Sequence, residues 1–351
     1  MTRSERLRYT IKNIVAHGLY YVGLLQILQA VKLRKKAVVL MYHRVLTADE
    51  SRQTASHPAL IVERETFARQ MALLKKRFAV LSIEEFAERL ENNRPLPPSA
   101  CVVTFDDGWK DNFSNALPIL RAHDLPSLVF LPFDYIGSGA LFWQETLVHL
   151  LMRVVDETRR DPSRRGEFTA LLDPVGLAWL LDSDERELRP RIIEMVSAKK
   201  QLGRERLDSL ARQLATMLDV RLDQLSDVDG FIDWSQVEEM RRHRVSFGGH
   251  GIKHHLLTMV SGECADDEIH GSKDALERRL QPTVATFSYP NGYHTPEIAT
   301  KVRKAGYALA FIATGGWVER GDDRWTIKRV NIHQMVTDTS PMFLARLVGL
   351  F

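Results

Sequence analysis

Two adjacent carboxylates, Asp106 and Asp107, stand in Thr104-Phe105-Asp106-Asp107-Gly108, directly after the apolar run Cys101–Phe105. At the C-terminal end of a buried parallel strand such a pair is expensive to desolvate unless a cation satisfies it. Ligand sites in parallel α/β proteins occupy that end. Taken alone, Asp-Asp-Gly is equally an ordinary turn with an N-cap for a following helix. A second pattern, His250-Gly251-Ile252-Lys253-His254, follows another apolar run, ending at Phe247, and the pair Gly248-Gly249. Two imidazoles four residues apart on one helical turn point the same way and can chelate one metal ion. A lone His-x-x-x-His also arises by chance on surfaces. With one carboxylate of the aspartate pair, however, the histidines make a two-His, one-carboxylate site with open positions for water and substrate. Only two cysteines are present, Cys101 and Cys264, which excludes a thiolate-rich site and a disulfide framework.

These groups need strand ends to hold them. Short β-rich apolar runs occur at Val38–Tyr42, Ala79–Ile83, Cys101–Phe105, Ser127–Phe133, Val245–Phe247, Val284–Tyr289, Leu309–Ala313 and Ile327–Ile332. Between them the periodicity predicts helices at Glu65–Arg77, Glu84–Glu91, Asn112–His123, Ser235–His243, Asp266–Leu280 and Pro296–Ala305. Such alternation means an α/β fold with a parallel sheet, open or closed into a barrel. It breaks once, from about Glu145 to Asp229, where Leu-, Arg- and Glu-rich helical sequence forms an insertion too long for a simple connection.

The 351 residues carry 48 Lys+Arg against 45 Asp+Glu, and 44% are hydrophobic, so the chain can fill a core. A net charge of +3 with both signs interspersed makes nucleic acid an unsuitable partner. Residues 1–36 are expected to be a helical segment: Asn13 to Val31 carries no formal charge and lies between basic clusters. Its Asn, Gln and Gly content suits an amphipathic helix in peripheral contact with a membrane, or docked on the protein, better than a span. No small-residue cleavage site follows it, which points to a cytoplasmic protein or one at the bacterial inner membrane.

The Thr104–Gly108 segment, the His250/His254 pair with Leu256-Leu257-Thr258, and Phe287-Ser288-Tyr289-Pro290-Asn291-Gly292 together resemble the successive motifs of the polysaccharide deacetylase family. Val39–Val45 and Asp233-Trp234 resemble elements flanking those motifs in bacterial members. The resemblance implies a distorted (β/α) barrel over 37–351, with the helical insertion at about 145–229, that removes N-acetyl groups from amino sugars using one divalent metal ion, usually zinc. Residue by residue it implies Asp107, His250 and His254 as metal ligands and Asp106 as catalytic base. It further implies that Tyr289, Pro290, Asn291 and Gly292 border the substrate, with the Asn291 backbone N–H serving the oxyanion. The substrate would be a polysaccharide or lipid-linked glycan; peptidoglycan or chitin-type oligomers, or a non-catalytic carbohydrate-binding role, are the alternatives.

Three features depart from that pattern. Ser288 stands where many members place the arginine that orients the catalytic aspartate, and Arg329 is the candidate replacement. The bland alternative for Arg329 is an exposed ion pair with Asp322 or Asp323. The family's general-acid histidine has no clear counterpart; His333 lies in the right region. His43, ending the first strand, could reach the site, although a structural role is as reasonable. Trp109, Phe142-Trp143 and Trp179 default to core packing, and Arg159-Arg160, Arg164-Arg165 and Arg241-Arg242 to solvated faces.

Overall fold

The computed structural model describes the chain except residues 1–2, 184–187, 200–202 and 282–284, and except the side chains of 3–5 and 204. Val284, expected to open a strand, therefore lies outside the described residues. The chain forms two compact units: Met1–Ala48, Pro58–Gly137 and Ile232–Phe351 make the first, Asp49–His57 and Ser138–Phe231 the second.

The strands belong to the first unit: β1 (Lys36–Tyr42), β2 (Arg44–Leu46), β3 (Ile61–Glu63), β4 (Ala79–Val80), β5 (Ala100–Phe105), β6 (Ser127–Leu131), β7 (Val245–Gly249), β8 (Thr286–Ser288), β9 (Leu309–Phe311), β10 (Val318–Glu319) and β11 (Val330–Asn331). Parallel pairing runs β1-β5-β6-β7-β8-β9, and β2 pairs β3 separately. The stretch Ile327–Asn331 closes the curled sheet into a ring. Ile327 bridges Phe311 of β9, and Val330 and Asn331 pair in parallel with Leu40 and Met41 of β1. This is the distorted (β/α) barrel expected.

Strand periodicity then decides what faces the lumen. Ala37 and Val39, Ala100 and Val102, Leu128 and Phe130, Leu309 and Phe311, and Ile327 pack into one cluster. Continuing the alternation puts Thr104 and Asp106 above Val102, and Arg329 above Ile327, on that same inner face.

Several elements are shorter than their apolar runs. The run Ala79–Ile83 holds only a two-residue strand, because Ser82 caps a helix that begins at Ile83, its side chain accepting from the Glu85 N–H. The expected helix at 112–123 opens with a π turn, Asn112–Ala116, before Leu117–His123. That at 266–280 is split: Gly262–Asp266, a π turn at Asp267–Gly271, then Ser272–Leu280. Two helices precede the barrel, α1 (Arg3–Tyr21) and α2 (Leu24–Lys32).

No strand occurs among the described residues of the second unit. Its helices Trp143–Arg160, Arg165–Leu172, Leu188–Ser197 and Arg204–Leu218 bury their own core, including Leu151, Phe168, Ile192 and Leu214. Buried Asp229 ties in the 49–57 strap. It accepts from Thr54 Oγ1 at 2.6 Å and the Ala55 N–H at 2.7 Å, and faces His149 Nε2 at 2.8 Å. Phe142 packs edge-on against Phe231, and the Arg191 guanidinium lies 3.9 Å from the centre of the half-buried Trp179 ring. Arg160 and Arg164 pair with Glu157, and Arg165 with Asp182.

Candidate metal and catalytic site

The Asp-Asp-Gly turn is held open at the end of β5. The Asp106 N–H donates to the Tyr42 carbonyl at 2.9 Å, which continues the β1–β5 ladder one step beyond the strand. Asp107 then takes φ +73°, a left-handed conformation costly for a residue with a Cβ, and Gly108 follows at φ +67°. A Cβ at Gly108 would come within 2.7 Å of Leu131 Cδ2, so the turn needs glycine both for its angle and for its space. The result is that the two adjacent carboxylates point differently.

Asp107 turns toward the histidines. His250 Nε2 and His254 Nε2 each lie 3.4 Å from Asp107 Oδ1, and the three ligand atoms fall within 4.8 Å of one another. The His250 Nδ1–H donates to the Ser288 carbonyl at 2.7 Å. Since a carbonyl only accepts, that bond puts a proton on Nδ1, so that a neutral ring has its lone pair on Nε2, the atom facing Asp107. The other oxygen, Asp107 Oδ2, accepts from Trp109 Nε1 at 3.0 Å. This donor set, with an oriented imidazole and one carboxylate oxygen left facing both rings, fits a divalent ion. Burial pushes the Asp107 carboxyl up, but the neighbouring histidines outweigh it and hold it far below the ordinary range. Burial, aided by His250, lowers the His254 imidazole to about 4.

The expected helical turn carrying His250 and His254 is absent. Residues 250–256 form a loop, with Gly251 at φ +83° and His254 at φ +57°. What shapes it is Glu268, a buried carboxylate on the π turn. Its oxygens accept from the Ile252 N–H at 2.9 Å and the Lys253 N–H at 3.1 Å, and Oε1 lies 3.3 Å from His255 Nδ1. A Cβ at Gly251 would stand 2.4 Å from Glu268 Oε2, so glycine admits the carboxylate. Spacing four can thus bring two imidazoles together without a helix, when a buried anion gathers the backbone between them.

Asp106 turns inward. Arg329, wholly buried, grips it with two parallel bonds, Nη1 to Oδ1 at 2.6 Å and Nη2 to Oδ2 at 2.8 Å. The guanidinium is itself fixed by Nε donating to the Ile312 carbonyl at 3.1 Å and Nη2 donating to Ser288 Oγ at 2.9 Å. It rests over the rings of Phe130 and Phe311, 5.5 and 6.0 Å from their centres. Burial raises the Asp106 carboxyl, but Arg329 and then His250 outweigh it and the group sits below its ordinary value. Ser288, where an arginine was expected, receives the guanidinium and stands 3.4 Å from Asp106 Oδ2. Asp322 and Asp323 are occupied locally, accepting from the Glu319 and Trp325 N–H groups.

The remaining expected groups are placed less uniformly. Tyr289 is fully buried and its hydroxyl donates to the Trp325 carbonyl at 3.0 Å, while Pro290 is buried too. These two are packing residues, and the exposed member of that turn is Asn291, at φ +56°. The Gly292 N–H is spent on the Tyr289 carbonyl at 2.7 Å. His333 sits half-buried just past β11, its carbonyl opening the helical turn Gln334–Thr337. Burial lowers the imidazole of His43 against the pull of Asp107 and Asp106, which keeps it neutral beside the site. Trp109 is wholly buried, and its role on Asp107 was open to suspicion only from its place directly after Asp-Asp-Gly.

At the C-terminal ends of its strands the curled parallel barrel thus carries an Asp/His/His cluster that could hold a metal ion, beside an arginine-clamped carboxylate. The sequence profile described as polysaccharide deacetylase matches residues 209–310. YxkH, a protein of Bacillus subtilis (strain 168) named for polysaccharide deacetylase, is 24% identical over 297 residues, covering 85% of this chain and 71% of that protein. The poly-beta-1,6-N-acetyl-D-glucosamine N-deacetylase of Escherichia coli (strain K12) is 30% identical over 121 residues, covering 34% of this chain but only 16% of its own length. The Streptococcus pyogenes deacetylase PplD, solved in complex with acetate, shares the fold with a TM-score of 0.56 at 18% identity, covering 90% of this chain and 98% of that one. The chain is thus similar to polysaccharide deacetylases, over residues 209–310 in the family profile and over most of its length in YxkH.

Proposed function

We propose that the chain is a metal-dependent deacetylase that hydrolyses the N-acetyl group of an amino sugar in a polysaccharide or lipid-linked glycan. The observation that carries this reading is the division between the two aspartates: Asp107 faces the histidines, and Asp106 is held apart from them by Arg329. In this reading Asp107, His250 and His254 hold one divalent ion, and imidazole and carboxylate donors without thiolate suit zinc. Such an ion, when bound, acidifies water and polarises the acetyl carbonyl. Asp106 accepts the proton of the attacking water. Its low carboxyl value keeps it ionised, and the guanidinium fork keeps its free lone pairs aimed at one place. The backbone at Asn291 is the proposed donor to the developing oxyanion. His333 is the proposed source of the proton that the departing amine requires. The proposed location is the cytoplasm or the surface of the bacterial inner membrane.

Acetate release from defined N-acetylhexosamine oligomers and from polyprenyl-linked N-acetyl sugars tests the reading. It predicts acetate from at least one of these with zinc supplied, and none after chelation. A metal-loaded, folded protein that releases acetate from none of them contradicts it.

A further inference from the structure

The structure leaves an apolar surface uncovered in one place above all. Of the exposed large apolar side chains among the described residues, all but Met259, Tyr293 and Met335 lie between Leu7 and Val31. They are not scattered. On α1 the set Leu7, Ile11, Ile14 and Val15 follows the spacing of one helical face, and on α2 so does Leu24, Ile27 and Val31. Ile14 is 67% exposed and Val31 69%, values that a solvated surface rarely tolerates in so dense a cluster.

The opposite faces are anchored to the protein. Ala16, Leu25 and Gln29 are buried, and Gln29 Nε2 donates to the Arg77 carbonyl at 2.9 Å and to Ser99 Oγ at 3.1 Å. Lys32 Nζ donates to the Val348 carbonyl at 3.0 Å. No single helix among the described residues is long and apolar enough to cross a membrane; α1 and α2 qualify only jointly, and they are bent by 85° at their junction. A bent pair with one face tied to protein by a buried amide presents its other face sideways.

Charge says what that face meets. No carboxylate occurs between Glu5 and Asp49, whereas Arg6, Arg8, Lys12, Lys32, Arg34 and Lys35 flank the apolar residues. Between α1 and the C-terminal helix lies a groove of about 280 Å³ that puts the cations Arg8, Lys12 and Arg346 beside the apolar Met335, Met342 and Phe351. We infer that the α1–α2 face docks on an anionic phospholipid surface, the apolar residues entering the acyl boundary and the cations meeting phosphates. The anchor of α2 lies at the end of the barrel opposite Asp106, since Arg77 and Ser99 stand just before β4 and β5.

This inference stands apart from the catalytic reading, because its test measures no turnover. The full chain is sedimented with vesicles of phosphatidylglycerol and phosphatidylcholine, or of phosphatidylcholine alone, at low and high salt. Wild type is expected to pellet with the anionic vesicles and to be released by salt. The combined variant Ile11→Ser, Ile14→Ser, Ile27→Ser alters only exposed positions; it is expected to keep its melting temperature and lose at least about tenfold in vesicle affinity. Arg34→Glu with Lys35→Glu should remove the preference for anionic lipid. Absent binding to anionic vesicles, equal binding to neutral ones, or a triple variant that binds like wild type overturns the inference. So does lipid-free self-association through this face, which would show a second copy of the chain as its occupant.

Discussion

Two buried arginine–aspartate pairs, whose aspartates lie five residues apart along one segment, differ in what they leave free. Arg329 binds both oxygens of Asp106 from inside the barrel, and Ser288 Oγ stands beside the same carboxylate. Arg44 holds Asp111 through Nε to Oδ2 at 2.6 Å, while Asp111 Oδ1 takes the Val45 N–H at 2.6 Å. Burial pushes the Asp111 carboxyl up despite Arg44, whereas Asp106 is drawn down. The Arg44 guanidinium also stacks 4.2 Å from the centre of the Trp109 ring, whose N–H fixes Asp107. The Arg44 pair therefore braces Asp107, acting through an indole, and the Arg329 pair clamps Asp106 directly. Adjacent aspartates of one turn are held apart by separate arginines.

The largest expected effects break the cluster itself. His250→Ala or Asp107→Ala should lose the metal and with it all measurable acetate release; metal content by elemental analysis checks this, and full occupancy in the double variant would contradict the assignment. Asp106→Asn should keep the metal and cost about 10²–10⁴-fold in rate, as loss of a general base does.

The two arginines separate next. Arg329→Ala strands a buried carboxylate and should cost about 3–5 kcal/mol of stability, read from denaturant unfolding. The sign of its pH effect follows from the same pair. Asp106 has a depressed folded value, so the pair's stabilisation is present above the unfolded carboxyl value and is lost as pH falls through the folded one. Without Arg329, burial raises the carboxyl, and the acid limb of the rate profile should move to higher pH. Arg329→Lys keeps a charge but loses the fork, and should lower turnover with metal intact. Arg44→Lys should do the reverse, sparing the base and weakening metal binding by loosening Trp109. Trp109→Phe, which removes the indole N–H together with part of a buried ring, should cost about 10–100-fold in metal affinity, as loss of outer-shell partners does. Smallest of the set, Ser288→Ala removes one neutral acceptor from Arg329 and should cost about 1 kcal/mol.

The barrel was legible because its strands are apolar, short and punctuated, and because period-two alternation fixes which residues face the lumen. The Asp-Asp-Gly turn and the two histidines could be read for the same reason: their types are costly at strand ends without a purpose. The geometry of the histidine loop could not be read, since spacing four was compatible with a helical turn and the agent that bends the loop, Glu268, sits on the later π turn Asp267–Gly271. Nor did composition reveal the π turns or the short β2–β3 pair, where tertiary packing overrides local preference. Arg329 was reachable only by noticing a vacancy at Ser288 and asking which cation could fill it. The second unit showed its helices through Leu periodicity, but not the 49–57 strap that joins them through Asp229, a contact across a sequence separation no periodicity records.

The account stands most directly on metal content and acetate release measured together in Asp106→Asn. It predicts one divalent ion per chain, as in the unaltered protein, with turnover reduced by about 10²–10⁴-fold. Loss of the ion from Asp106→Asn, or turnover unchanged with the ion in place, would contradict the division of labour between the two aspartates.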